Sequence, residues 1–144
     1  MMHAHRSRPA ADVALGYAAD QEGNGVAYAA ISTGTSLGTV RIPFRVHRLP
    51  GVDGREVGYA AVAAVGNHLR SRGFGRVRLR VDDAHVVADL VGTKVVPPSL
   101  AMAYVKTRCV LHGFLSARLE PAESIETNDL AHRARADVTL NAAA

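Results

Sequence analysis

The sequence predicts an α/β domain: one five-stranded mixed sheet flanked by helices, in the order βββ-α-β-α-α-β-α. Three observations carry that expectation. Three strand-like segments follow one another across short turns, which makes an antiparallel meander. A long alanine-rich helical segment then leads into a fourth strand, so the connection is a crossover and the pairing parallel. Helical segments and one last strand alternate through the remainder.

Residues 1–11 hold no apolar run and read as a mobile tail, not a secretory signal. His3 and His5 within it define no metal site by themselves. The first strand is expected over Asp12–Ala19 and the second over Val26–Ser32, joined by QEGNG. Asn24-Gly25 there can supply the positive φ angles of a tight hairpin. The next turn, TGTSLG, lacks the Gly-Lys-Ser/Thr end of a phosphate-cradling loop. A third strand, Thr39–His47, sets Val40, Ile42, Phe44 and Val46 on one face, and Arg41, Pro43, Arg45 and His47 on the other. Pro43 has no N–H for a ladder, which places this strand at a sheet edge.

The helix Arg55–Arg72 repeats Tyr59, Val62, Val65 and Leu69 at helical spacing and stops at Gly73 and Gly75. In the fourth strand, Arg76–Val81, Val77, Leu79 and Val81 alternate with Arg76, Arg78 and Arg80. It ends on Asp82 and Asp83, either of which suits the N-cap of a helix over 82–91. Pro97-Pro98 stop that helix, and another starts at Pro98 or Ser99 with Leu100, Tyr104 and Leu111 on one face. A fifth strand over Phe114–Glu120 and a closing helix over Glu126–Ala136 complete a domain of residues 12–137, with 138–144 as a C-terminal tail.

The 144 residues suffice for one domain with its own core. A hydrophobic fraction of 48% and a mean hydropathy near zero fit a soluble globule, with no run long enough for a membrane span. The net charge of +4 rests on 17 Lys+Arg, of which only Lys94 and Lys106 are lysine. Such a balance suits a polyanion partner, and equally a merely solvated basic surface. Cys109 is the single cysteine, which excludes an intrachain disulfide and points to a reducing cytoplasm. It lies in an apolar helical pattern and is expected in the core. His47, His68, His85, His112 and His132 share no metal-ligand spacing, and no Gly-x-Ser-x-Gly nucleophile motif occurs. With three Phe, four Tyr and no Trp, no base-stacking platform is evident.

Three strings in sequence carry a resemblance: VGYAAVAAV (57–65), RLRVDDAHVVADLVGTKVVPPSL (78–100) and NDLAHRA (128–134). Together with the element order, over residues 12–137, they resemble the ribonuclease H family. That resemblance implies hydrolysis of the RNA strand of an RNA–DNA hybrid by two Mg²⁺ or Mn²⁺ ions held among four carboxylates. Carried over, the fourth-strand aspartate is Asp82. The first-helix glutamate falls on Gly58, with Tyr59 fixing the register. The last-helix aspartate falls on Asn128 and the first-strand aspartate on Gly16. The histidine before the last helix has no counterpart in LEPAESIE.

The expectation is therefore an impaired domain, a pseudoenzyme without a metal cofactor. Asp82 is its one remaining catalytic and metal-ligand candidate. Asp20, Glu56 and Asp129 stand four, two and one residues from missing positions. They would join Asp82 only if the registers shift, in which case Mg²⁺- or Mn²⁺-dependent cleavage survives. Arg76, Arg78 and Arg80 share one sheet face and are the candidate contacts to an RNA–DNA hybrid or other nucleic acid. The alternative for them is solvation, with some paired to glutamates of the last helix. A homodimer or protein-interaction platform, presented by the alanine-rich helix 55–72, is a third reading.

Overall fold

The computed structural model describes residues 9–92 and 95–143. Among the described residues are five strands: β1 (Ala10–Ala19), β2 (Asn24–Ser32), β3 (Leu37–Arg45), β4 (Arg76–Val81) and β5 (Ser116–Pro121). The helices are α1 (Arg55–Ser71), α2 (Ala84–Leu90), α3 (Ala101–His112) and α4 (Ser124–Ala143), with a 3₁₀ turn at Pro98–Leu100 leading into α3. The sheet order is β3-β2-β1-β4-β5. β1, β2 and β3 pair antiparallel, while β4 runs parallel to both β1 and β5. The predicted order and mixed sheet are both observed, and β3, with Pro43, is an edge strand.

Alternation along β1 divides the molecule into two layers. Val13 and Leu15 enter a core with Tyr59, Val62, Val65 and Leu69 of α1, all fully buried, and with Val86 and Leu90 of α2. This is the apolar face predicted for α1, and burying a side chain of that kind stabilises by about 1.5–3 kcal/mol. Leu100 is fully buried, and Tyr104 and Leu111 of α3 pack against the same core. On the opposite face α4 lies across β1 and β2. Between the two layers, β4 offers Val77, Leu79 and Val81 to the core and its arginines to the α4 side.

Several expectations change. Residues 10 and 11 belong to β1, where Ala11 is buried, and not to a tail; residues 1–8, with His3 and His5, lie outside the described residues. α4 continues to Ala143, so residues 138–143 are helical, because no proline or glycine stops the helix after Asp137. Cys109 is exposed and not in the core. α3 turns Thr107 inward, and Met102, Val105 and Cys109, spaced three and four apart, look outward. No helix among the described residues is long and apolar enough to cross a membrane.

Candidate functional site

The site to be tested lies where β1 and β4 end and α1, α2 and α4 converge. Asp83 and Asp82 sit side by side there but differ in role. Asp83 has an extended backbone and its Oδ1 accepts the N–H groups of His85 and Val86 at 3.0 and 3.1 Å, so Asp83 is the N-cap of α2. Asp82 is exposed and caps nothing. Its carboxylate remains near the strand end, where the resemblance places a metal ligand.

Gly16 is buried in β1, facing α4. A Cβ built on it would lie 2.3 Å from the backbone nitrogen of Ala131 and 2.6 Å from the carbonyl carbon of Leu130. No rotamer relieves such an approach, because both atoms belong to helix backbone. The volume into which an aspartate would project is occupied by α4 itself.

Gly58 is filled from another direction. A Cβ there would meet Val86 Cγ2 at 2.7 Å and the Tyr17 hydroxyl at 2.8 Å. Burial, reinforced by the negative charges of Asp83 and Asp82, pushes the Tyr17 phenol far above its ordinary pKa, so it stays neutral. A neutral phenol and a valine methyl therefore stand where the first-helix carboxylate would enter the cluster.

The nearby acidic residues are engaged elsewhere. Asp20 Oδ1 accepts the N–H groups of Glu22 and Asn24, both at 2.9 Å, in the β1–β2 turn. Those backbone bonds, the Asn24 N–H foremost, hold its carboxyl below the usual range. Glu56 is 1% exposed and its Oε2 takes Arg48 Nε at 3.0 Å and the Leu49 N–H at 2.8 Å, which ties the β3–α1 segment to the start of α1. Asn128 and Asp129 are both exposed on the first turns of α4. Among the described residues, no three His, Cys, Asp or Glu side chains come together in a way that could hold a metal ion.

The arginines of β4 form a charge ladder with carboxylates on the α4 face. Arg78 reaches Glu120 Oε1 at 2.8 Å and Asp12 Oδ1 at 3.6 Å. Arg80 lies 3.3 Å from Asp12 Oδ1, and its Nε is 2.9 Å from Glu126 Oε2. Arg76 is exposed one step further along the strand, beside Ser116 in register. Arg118 of β5, not singled out in the sequence, is the register neighbour of Arg78. With Ser32, Thr33 and Ser116, these three arginines line an open cleft of about 440 Å³.

Sequence reasoning also missed Asp89, which is 1% exposed in α2. Its Oδ2 accepts the Tyr59 hydroxyl at 2.6 Å and Arg55 Nη1 at 2.8 Å. Burial and that carboxylate together push the Tyr59 phenol well above its ordinary range. A signal was available: an aspartate within an apolar helix needs a partner, and Arg55 and Tyr59 share one face of α1 four residues apart.

The architecture is the ribonuclease H-like fold. RNase H1 from the halophilic archaeon Halobacterium salinarum NRC-1 superposes with a TM-score of 0.69 at 20% identity, covering 89% of this chain and 98% of that one. The N-terminal RNase H domain of Rv2228c from Mycobacterium tuberculosis gives 0.67 at 16% identity, covering 93% and 99%. LC11-RNase H1, solved in complex with an RNA/DNA hybrid, gives 0.61 at 12% identity, covering 86% and 95%. No protein-family model and no curated protein matches the sequence. Identities this low speak for the fold alone.

Proposed function

We propose that this chain is a ribonuclease H-like domain without two-metal hydrolysis, acting as a nucleic-acid-binding module that grips phosphates and leaves them uncut. One observation carries the first half. The two glycines at the expected ligand positions are packed against protein, Gly16 on the α4 backbone and Gly58 on Tyr17 and Val86. Mg²⁺ depends on several anionic oxygens to offset its dehydration, and Asp82 alone does not supply them. The residues present do not fit a metal pair.

The binding half rests on charge and placement. Arg76 and Arg118 are exposed at the rim of the 440 Å³ cleft, with the Ser32, Thr33 and Ser116 side chains nearby. Arg78 beside them is already bonded to Glu120, and Arg80 lies against Asp12 and Glu126. Of the arginines on this face, Arg76 and Arg118 are thus the ones that suit backbone phosphates, with little base readout.

Fluorescence anisotropy with a short labelled RNA–DNA hybrid in EDTA tests this. Binding is expected to fall steeply with salt, and Arg76→Ala and Arg118→Ala should each lower the log–log salt slope by about 1. Salt-insensitive self-association with no hybrid binding would overturn it in favour of a structural role.

A further inference from the structure

α4 leaves one end of its sheet face bare. The helix crosses β1 at Gly16 and meets Tyr28 and Arg41 through Asp137, so the first residues of β1, β4 and β5 stay uncovered. Ala10, Arg76, Ser116 and Arg118 are all exposed there and line the 440 Å³ cleft. The cleft lies at the starts of these strands, whereas Asp82 follows the end of β4. At about 3.3 Å per residue the two are roughly 20 Å apart, so the cleft is separate from the junction to which the resemblance assigns a metal cluster.

Register fixes how the side chains of the cleft converge. Arg76 is paired with Ser116 across the β4–β5 ladder, and Arg78 with Arg118, so the four occupy the corners of one rectangle on a single face. Its sides are about 4.8 Å between strands and about 6.6 Å along them, within reach of an arginine side chain. Arg78 is bonded to Glu120. Neither Arg76 nor Arg118 makes a side-chain hydrogen bond or ion pair among the described residues, and Arg118 acts on Glu120 only at longer range. The lining holds three arginines against one carboxylate, Asp12, a surplus of two positive charges.

Two free cations at one point suit one kind of phosphate. An internal phosphodiester carries a single negative charge, whereas a terminal phosphomonoester carries close to two at neutral pH and presents three acceptor oxygens. Two guanidiniums and the Ser116 hydroxyl are donors for those three oxygens. A track along a duplex would need the row continued through Arg78 and Arg80, and these are held by Glu120, Asp12 and Glu126.

We infer that the cleft between β1, β4 and β5 takes the terminal phosphate of a nucleic-acid strand in preference to the phosphodiesters within it. This rests on the reading that Arg76 and Arg118 hold phosphate, and it names which phosphate. No bond is made or broken.

The test is fluorescence anisotropy in EDTA with one internally labelled RNA–DNA hybrid carrying a 5′-phosphate, a 3′-phosphate, a 5′-methyl phosphate or hydroxyl ends only. A terminal phosphate at one end or the other should tighten binding about tenfold over the hydroxyl-ended hybrid, and the 5′ and 3′ forms tell which terminus is taken. The methyl phosphate, one charge poorer, should bind like the hydroxyl end. Arg76→Ala and Arg118→Ala should each abolish the preference; the comparison among ligands uses the parent protein alone, so it does not depend on the folding of a variant. Equal affinity for phosphate-ended and hydroxyl-ended hybrids would overturn the assignment and leave the phosphate-binding reading standing. A preference that survives in both arginine variants would also overturn it, and no binding of any hybrid would overturn both.

Discussion

The two faces of the sheet use charge in opposite ways. On the α1 face, Glu56 and Asp89 are each 1% exposed and each is held by an arginine from the loop before α1 or its first turn, Arg48 and Arg55. On the α4 face the carboxylates stand near water: Asp12 is 43% and Glu120 32% exposed, and the Arg41–Asp137 pair lies at the sheet edge, joined by the Tyr28 hydroxyl. Breaking a buried pair leaves a stranded charge, whereas an exposed pair is screened and nearly replaceable by solvent. Between the faces lies the junction to which the resemblance assigns a metal cluster, and there Asp82 stands with Gly16, Gly58 and Tyr17. Of the acidic residues, Glu56 and Asp89 are buried and tie elements together, whereas Asp82 at the junction is exposed and holds nothing.

Placing a carboxylate at the junction should have the largest effect. Gly16→Asp should unfold or severely destabilise the domain, by more than about 4 kcal/mol, because its Cβ meets the α4 backbone. Chemical denaturation measures it; a stable Gly16→Asp protein would mean that α4 yields easily. Next, Asp89→Ala should cost about 3–5 kcal/mol in the same assay, since it strands Arg55 and the Tyr59 hydroxyl.

The pH dependence of Glu56 is expected to be smaller. Burial raises its carboxyl pKa, but Leu49 and Arg48 bring it to a net position below the usual value. Across the window from the ordinary glutamate pKa of about 4.3 downward, the unfolded chain binds the proton and the folded chain resists it. Stability from this group is therefore full above that window and lost as pH falls through the folded pKa. Urea midpoints collected between neutral and acid pH should show a shallower acid limb for Glu56→Gln than for the parent.

Asp83→Ala should cost about 1 kcal/mol through loss of the α2 cap, whereas Asp82→Ala should change stability by less than about 0.5 kcal/mol. Thermal melts of the pair separate two adjacent aspartates by role. The smallest effect belongs to Arg78→Ala on the exposed ladder. It should be detectable only at low ionic strength and vanish in high salt, as differential melts in the two buffers would show.

Much of the fold was legible because it is written in period. The alternation in β4 and the helical spacing of Tyr59, Val62, Val65 and Leu69 each named a buried face, and Pro43 named an edge. Legibility failed where the deciding information is tertiary. Asp82 and Asp83 are the same residue type in adjacent positions, and only the backbone turn selects Asp83 as the cap. Cys109 shares its apolar helix with Tyr104 and Leu111, yet α3 rotates it to solvent. The end of α4 has no apolar stripe to mark it. The sequence says that positions 16 and 58 are glycine; it does not say that α4 and Tyr17 occupy the space beside them. Arg118 became a candidate only when β5 was placed beside β4.

One assay tests directly whether this junction supports metal-dependent hydrolysis. A labelled RNA–DNA hybrid is incubated with the protein and with its Asp82→Asn variant in Mg²⁺ and, separately, in Mn²⁺. No cleavage in either metal should distinguish the parent from Asp82→Asn. Metal-dependent cutting of the RNA strand by the parent, abolished in Asp82→Asn, would contradict it.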